Sequence, residues 1–291
     1  MPDLWVILNP AAGRGSAEAR FEEVFPIFEE FRLKAEVLRT EGPGHATELA
    51  CELSGRGEKI VVAAGGDGTL NEVAQALVGT ETALGILPLG SGNDYVRALG
   101  IPVDLRKAVE ILARGRTKLA DVGAAEDRYY LNSLGMGIDG QIAHDYATYR
   151  FLRGELGYLL ATVFEALRFR PIPMEVEAEG WRFSGPLLAV AAMNGPWAGG
   201  GFCLAPGAKP DDGALDLALL GHYPRLVRLA VLPKTRDGSY LKLKRTWLKR
   251  AAKIRIRAER PLYVHMDGEL LPGRLSELEV ELFPRALRVV A

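Results

Sequence analysis

Cysteine, side-chain amides and long apolar runs are what this chain has least of, and each scarcity closes off a class of protein. Its 291 residues hold two cysteines, Cys51 and Cys203. That fits neither a disulfide framework nor a cysteine metal site, so a reducing, cytoplasmic setting is expected. No stretch approaches the roughly 20 apolar residues of a membrane-spanning helix. The start Met1-Pro2-Asp3-Leu4 lacks the pattern of a signal peptide. Five Asn and two Gln are present, a depletion of thermolabile amides that hints at a thermophile. All five (Asn9, Asn71, Asn93, Asn132, Asn194) lie in or beside turns punctuated by Gly or Pro. A chain that otherwise avoids the residue keeps it where turn geometry favours it.

Net charge is also small, at −1, but it is unevenly spread. From Arg225 to Arg260 there are thirteen Lys or Arg against Asp237 and Glu259, whereas the first ninety residues are acidic. A neutral protein with one basic face is suited to an anionic surface. Within that segment, Leu241 to Arg257 surrounds Trp247 with basic residues and is expected to face a membrane. The plainer alternative is a solvated basic strand pair. Hydrophobic content of 48% and charged content of 25% are ordinary for a globular chain long enough for two cores.

The most informative stretch is Val61-Val62-Ala63-Ala64-Gly65-Gly66-Asp67-Gly68-Thr69-Leu70-Asn71. A short apolar run reads as a buried strand, and apolar residues at Leu70, Val73, Ala74 and Leu77 then read as a helix. Between them lies a Gly-rich turn. Glycine lets backbone N–H groups approach a ligand closely, and a helix start adds unpaired donors and a positive dipole end, so the unit suits phosphate. Thr69 stands where a hydroxyl caps the helix or meets a phosphate oxygen. Asp67 repels phosphate, which points to Mg²⁺ beside it; the alternative is a plain helix-start residue. The turn is neither Gly-x-x-x-x-Gly-Lys-Ser/Thr nor Gly-x-Gly-x-x-Gly. A second strand, Leu84 to Pro88, leads into Leu89-Gly90-Ser91-Gly92-Asn93-Asp94 and another short helix. Two such units in succession place both turns at one strand edge, where open α/β sheets bind ligands.

Upstream, strands are expected at Leu4–Leu8 and Ala35–Arg39, with helices over Ala17–Phe31 and Ala46–Leu53. Strand and helix alternate four times by residue 100, the pattern of a doubly wound parallel sheet. Beyond Lys118 short alternating runs at 119–122, 129–132, 174–178, 187–191 and 215–219 suggest a β-rich, sandwich-like domain interrupted by helix over about 142–169. Glu277 to Val290 alternates like a pair of strands.

Gly65-Gly66-Asp67-Gly68-Thr69 together with Gly90-Ser91-Gly92-Asn93-Asp94 resembles the diacylglycerol kinase catalytic family, which includes bacterial lipid kinases and the sphingosine and ceramide kinases. NAD kinases share the first motif but not the second in this form. The resemblance continues through Asn132 to Asp139, Gly199 to Gly201, Ala205 to Gly213 and Pro261 to Glu269, nearly the whole chain. Ser91 stands where threonine is commoner and keeps the hydroxyl. The resemblance implies an α/β nucleotide-binding domain over 1–118, joined by 277–291, and a lipid-binding β-rich domain over 119–276, with the active site in the cleft between them. It implies ATP bound by Asn9, Arg14, Thr40, Gly65 to Asn71 and Gly90 to Asp94. It implies a structural Mg²⁺ at Asp212 with the carbonyls of Lys209 and Ala214, and Glu269 as general base beside Asp67 as the metal-organising acid. Asp267 is the alternative base.

The reading is therefore an ATP-dependent lipid kinase with diacylglycerol as acceptor, held peripherally at an anionic membrane, with no nucleic-acid partner and a homodimer left open. An NAD kinase-like enzyme is the alternative; it explains Gly65 to Thr69 but not Gly90 to Asp94. A non-catalytic binding protein using the basic segment leaves both turns unexplained. Residues 146–170 match nothing firm and are expected to shape the lipid site.

Overall fold

The computed structural model describes residues 2–148 and 154–291, and the chain divides into two compact units. The first runs to Val122 and takes in Pro210–Asp212 and Phe283–Ala291; the second comprises Gly123–Lys209 and Gly213–Leu282. Among the described residues no helix is long and apolar enough to cross a membrane.

The first unit is built on parallel strands β1 (Leu4–Leu8), β2 (Ala35–Arg39), β3 (Ile60–Gly65) and β4 (Ala83–Pro88). β1 pairs with β2 on one side and β3 on the other, and β3 pairs with β4. The end of the chain adds a further parallel partner, Val289 opposite Leu84. Central parallel strands are covered on both faces, and Val61 to Ala64 accordingly have no exposed surface. The order places β2 and β3 on opposite sides of β1, so the strand order reverses at the β1–β3 junction. In open α/β sheets that junction is where ligands bind, outside the carboxyl ends of the strands.

The expected helix over Ala17–Phe31 is two helices, Ala17–Glu22 and Phe25–Glu30. Pro26 stands in the first turn of the second, where its missing N–H costs nothing. Leu105–Arg114 is helical, begun by the Asp104 side chain accepting the Lys107 N–H at 2.9 Å and ended by Gly115 at φ 62°.

The second unit holds the end of β5 (Thr117–Ala125), then β6 (Arg128–Tyr130), β7 (Ser133–Gly137), β8 (Ile172–Ala178), β9 (Trp181–Met193), β10 (Trp197–Ala198), β11 (Phe202–Cys203), β12 (Leu215–Gly221), β13 (Thr246–Ala251), β14 (Lys253–Leu262), β15 (Val264–Met266), β16 (Glu269–Leu270) and the first half of β17 (Leu275–Val290). β9 serves two neighbourhoods: its first half forms a hairpin with β8, and its second half lies between β7 and β12. Helices Ile138–Thr148, Gly154–Arg168 and Arg225–Val231 accompany the strands. The expected helix over 142–169 includes residues 149–153, which lie outside the described residues.

One expectation gives way. Glu277 to Val290 belongs to one strand of 16 residues, not a pair. The Phe283-Pro284-Arg285 stretch reads as a break, because proline cannot donate to a ladder. The strand instead passes through with Arg285 at φ 54°, its N–H taken by Asp121 Oδ1 at 2.7 Å. The basic segment is also less free than its sequence suggests. Lys253, Arg255 and Arg257 stand opposite Glu281, Glu279 and Glu277 and form an ion pair with each, while Ile254 and Ile256 point into the core between them. Trp247 packs on Phe183, ring centroids 4.7 Å apart, rather than standing out as an interfacial side chain.

Candidate active site

Three turns at the carboxyl ends of β1, β3 and β4 meet in the first unit. The first follows Asn9. Its side-chain oxygen accepts the Ala11 N–H at 3.0 Å, and its amide donates to Thr69 Oγ1 at 3.0 Å. That bond joins the two strands that flank the reversal of strand order. The second and third turns touch through their glycines: a Cβ on Gly90 would lie 2.3 Å from the Gly66 Cα, and one on Gly65 would overlap the Thr69 side chain. Gly13, at φ 58°, would drive a Cβ to 2.5 Å from the Leu89 carbonyl oxygen. Contacts this close between backbones leave no room for any other residue.

The helix Asp67–Leu77 begins at the second turn, and its first backbone bond runs from the Leu70 N–H to the Gly66 carbonyl. The amides of Asp67, Gly68 and Thr69 precede that bond, so they are the donors a helix start offers an anion. Leu70 spends its amide within the helix and its side chain in the core, and Asn71 is buried with its oxygen accepting from Gln75 at 2.9 Å. Thr69 does not cap the helix; its hydroxyl is buried against Asn9 and Gly65.

Asp67 has an architectural task that sequence reasoning missed. Its two oxygens accept the amides of Asp94 and Tyr95 at 3.3 and 3.2 Å, so the carboxylate of one turn receives the start of the next helix, Asp94–Ala98. Asn93, at φ 54°, donates to the Gly90 carbonyl at 2.9 Å and closes the third turn. Ser91 is exposed at its tip, and Arg97 donates to Gly92 O and pairs with Asp94. Arg14 is exposed in the first turn, at φ 62°. Thr40 is half-buried, bonded through its N–H to Leu8 O at the end of β1.

Among the described residues no group of three or more His, Cys, Asp or Glu is arranged to cage a metal. A single protein carboxylate is enough for Mg²⁺ that phosphate oxygens and water otherwise hold. Each Asp67 oxygen has lone-pair capacity beyond its one amide bond, so the residue fits that role. Asp212 is exposed on the loop before β12, with Lys209 and Ala214 flanking it in sequence.

In the second unit, Asp267 and Gly268, at φ 49° and 89°, make the two-residue turn between β15 and β16. Glu269 therefore stands directly after the turn. Its side chain is 41% exposed, with Oε2 3.1 Å from Arg128. Asp267 is committed elsewhere: its carboxylate accepts the amides of Leu131, Asn132 and Ser133 at 2.7–2.9 Å. It is a structural acceptor rather than a free base.

On β15, two residues before Asp267, His265 Nε2 lies 3.0 Å from Asp139 Oδ2. Burial pushes the Asp139 carboxyl up and the His265 imidazole down, but their mutual attraction outweighs burial and leaves Asp139 below and His265 above its ordinary value. Gly135 must be glycine, since a Cβ there would lie 2.3 Å from both charged atoms. Asp139 sits at the wall of a pocket of about 920 Å³, counting its open mouth. Most of the wall is aliphatic or aromatic, including Ile142, Leu188, Leu204, Leu220, Val231 and Leu232. The motif sequences did not reveal this pocket, because its residues come from strands and helices spread over about a hundred positions, from Ile138 to Tyr240.

Comparison with known proteins also divides the chain in two, between residues 125 and 132. The family model of the diacylglycerol kinase catalytic domain matches residues 3–125, and that of the YegS C-terminal NAD kinase β-sandwich-like domain matches residues 132–291. A diacylglycerol kinase of Bacillus subtilis (strain 168) is 29% identical over 94% of this chain and 92% of its own length. A "Probable lipid kinase YegS-like" of Chromohalobacter salexigens is 32% identical over 99% of this chain and 93% of its own. A crystal structure described as a diacylglycerol kinase from Bacillus anthracis str. Sterne shares the fold at a TM-score of 0.74 and 22% identity, covering 99% of this chain and 96% of its own. The paired glycine turns on a parallel sheet, the sandwich-like second unit and these matches along the full chain place the protein in the diacylglycerol kinase and YegS-like lipid kinase family of ATP-dependent kinases.

Proposed function

We propose that the protein transfers the γ-phosphoryl group of ATP to the free hydroxyl of a diacylglycerol, giving phosphatidic acid. The observation that carries the acceptor class is the apolar pocket of the second unit, which suits acyl chains and would be left unused by a soluble nucleotide such as NAD. The turns at Asn9, Gly65 to Thr69 and Gly90 to Asp94 hold the donor's phosphates. Phosphoryl transfer needs alignment and charge neutralisation more than covalent chemistry from the protein. Bound Mg²⁺ supplies neutralisation of the transferred group, with Asp67 as its protein carboxylate. A second, structural Mg²⁺ belongs at Asp212 with the backbone carbonyls of Lys209 and Ala214. Glu269 takes the acceptor's proton.

The expected result in an ATP-consumption assay is turnover with dispersed diacylglycerol well above the acceptor-free rate, and none above it with NAD. A panel of other lipid alcohols in the same assay ranks the acceptor. Absence of phosphorylated lipid from every member would overturn the reading.

The membrane contact belongs to a different surface from the basic strands. On helices Gly154–Arg168 and Arg225–Val231, which pack together, Leu160, Phe164 and Leu226 are 56%, 52% and 78% exposed. Tyr158, Thr162 and Ala166 on the first helix and Arg228 and Val231 on the second line the apolar pocket. Exposed Arg168, Arg225 and Lys234 lie on the same helices or just beyond. Apolar side chains entering a bilayer contribute about 1.5–3 kcal/mol each, and basic residues near an anionic leaflet about 1 kcal/mol. Phe164→Glu with Leu226→Glu is expected to lower binding to phosphatidylglycerol vesicles more than tenfold in co-sedimentation. Charge reversal at Lys249 and Arg250 should change it less than threefold. The opposite ranking would return the contact to the strand pair.

A further inference from the structure

The pocket wall contains one buried cation that has no counter-ion. Arg228 is 5% exposed, and its immediate neighbours on the helix, Leu226, Val227, Leu229 and Ala230, are apolar. Its five N–H bonds can be followed one by one. Nε donates to the Tyr223 carbonyl at 2.8 Å; Nη1 donates to the carbonyls of Ala166 at 3.1 Å and Phe169 at 2.7 Å. Among the described residues nothing takes the two protons of Nη2, and no carboxylate pairs with the guanidinium. Burial and the neighbouring Arg225 both push its pKa down. A buried charge is costly unless its hydrogen bonds are completed.

The other polar groups of the wall are already engaged. Thr162, Thr235, Tyr223 and Tyr240 each donate a hydroxyl proton to a backbone carbonyl, at Tyr158, Leu232, Lys244 and Leu204 respectively. Asp139 is neutralised by His265. The pocket therefore meets an incoming amphiphile with apolar walls, a compensated carboxylate and an unspent cationic donor.

We propose that Arg228 is a specificity-determining residue that donates through Nη2 to an ester carbonyl oxygen of the acceptor lipid. An acylglycerol offers such an oxygen close to its free hydroxyl and brings no charge. A long-chain amino alcohol brings an ammonium group toward a guanidinium and is disfavoured by like charge. The assignment rests on the lipid-kinase reading and deepens it by selecting ester-linked glycerolipids. A site that holds out a donor discriminates strongly against an analogue lacking the acceptor, because the donor is then left unpaired.

The test compares short-chain probes: 1,2-dioctanoylglycerol, its dioctyl ether counterpart, and a long-chain amino alcohol. Binding is measured by calorimetry on the full chain without ATP, with phosphate transfer measured in parallel. The wild-type protein is expected to bind the diester at least tenfold more tightly than the diether, and the amine most weakly. Arg228→Met, which keeps the length of the side chain and removes the donor, should bring the diester-to-diether ratio to within threefold of one. A purely structural role, closing the carbonyls of Ala166 and Phe169, would weaken both ligands alike and leave the ratio standing, which would overturn the proposal. If Arg228→Met does not fold, the wild-type comparison still decides: equal binding of diester and diether, or preference for the amine, overturns it. Selective binding of the diester with no phosphate transfer to any lipid would support the role of Arg228 and overturn the kinase reading instead.

Discussion

Glu269→Gln is expected to lower kcat by about 10²–10⁴ with ATP affinity nearly unchanged, the signature of losing a general base. A lipid hydroxyl is a poor nucleophile, and a carboxylate in reach takes its proton as the phosphoryl group arrives. Glu269 stands directly after the Asp267-Gly268 turn. Arg128 meets Oε2 at 3.1 Å, and no bond to Oε1 occurs among the described residues. Glutamine keeps the shape and can still accept from Arg128 through its amide oxygen, so the change removes basicity rather than architecture. The measurement is steady-state turnover beside ATP calorimetry. Surviving turnover would dismiss Glu269 as the base, and collapse of ATP binding would move it to the nucleotide site. Asp267→Asn is the control. Because Asp267 accepts three backbone amides, its loss should appear first as a lowered melting temperature, since an amide nitrogen would face donors it cannot satisfy.

Asp67→Asn is expected to reduce activity by more than about a hundredfold at saturating Mg²⁺, since an oriented metal contributes several kcal/mol to the transition state. The fold should survive. Asparagine retains one acceptor for the Asp94 and Tyr95 amides and loses the other, a cost of about 1 kcal/mol, which moves the melting temperature by a few degrees at most in a chain of this size. The two roles of Asp67 thus separate in one experiment: thermal stability reports the join between the turns, and Mg²⁺-dependent turnover reports the metal. Near-normal turnover would mean that Asp67 is there for the turns alone. Activity lost in proportion to a large fall in melting temperature would mean the same.

Much of the first unit was legible because its signals are local. Four strands, the turns between them and the helices after β3 and β4 follow from apolar runs bounded by glycine, and β1 and β2 were read to the residue. Scarce asparagine was informative too. Asn9 and Asn93 hold turns, and Asn194 donates to the Leu131 carbonyl at 2.7 Å. The helix Arg225–Val231 was missed because Leu-Val-Arg-Leu-Ala-Val sits in a basic stretch that drew attention to charge. An arginine in the middle of an apolar hexamer was the available sign of a buried cation.

The strands of the first unit, the glycine turns after β3 and β4 and the resemblance to a kinase family were legible in the sequence alone, because steric and hydrogen-bonding demands there involve neighbours in the chain. Glycine is required where backbones touch, and a helix start offers its amides whatever lies beyond. Only the tertiary structure decided which charges are available. Lys253, Arg255 and Arg257 look like an anion-binding patch until Glu281, Glu279 and Glu277 are placed opposite them across one strand register. Asp267 looks like a base until three amides from residues 131–133 close on it. Arg228 looks like surface charge until the fold buries it in a pocket wall and leaves the two N–H bonds of Nη2 without an acceptor among the described residues. A charge's chemistry depends on its partners and its solvent, and those are set by residues distant in sequence.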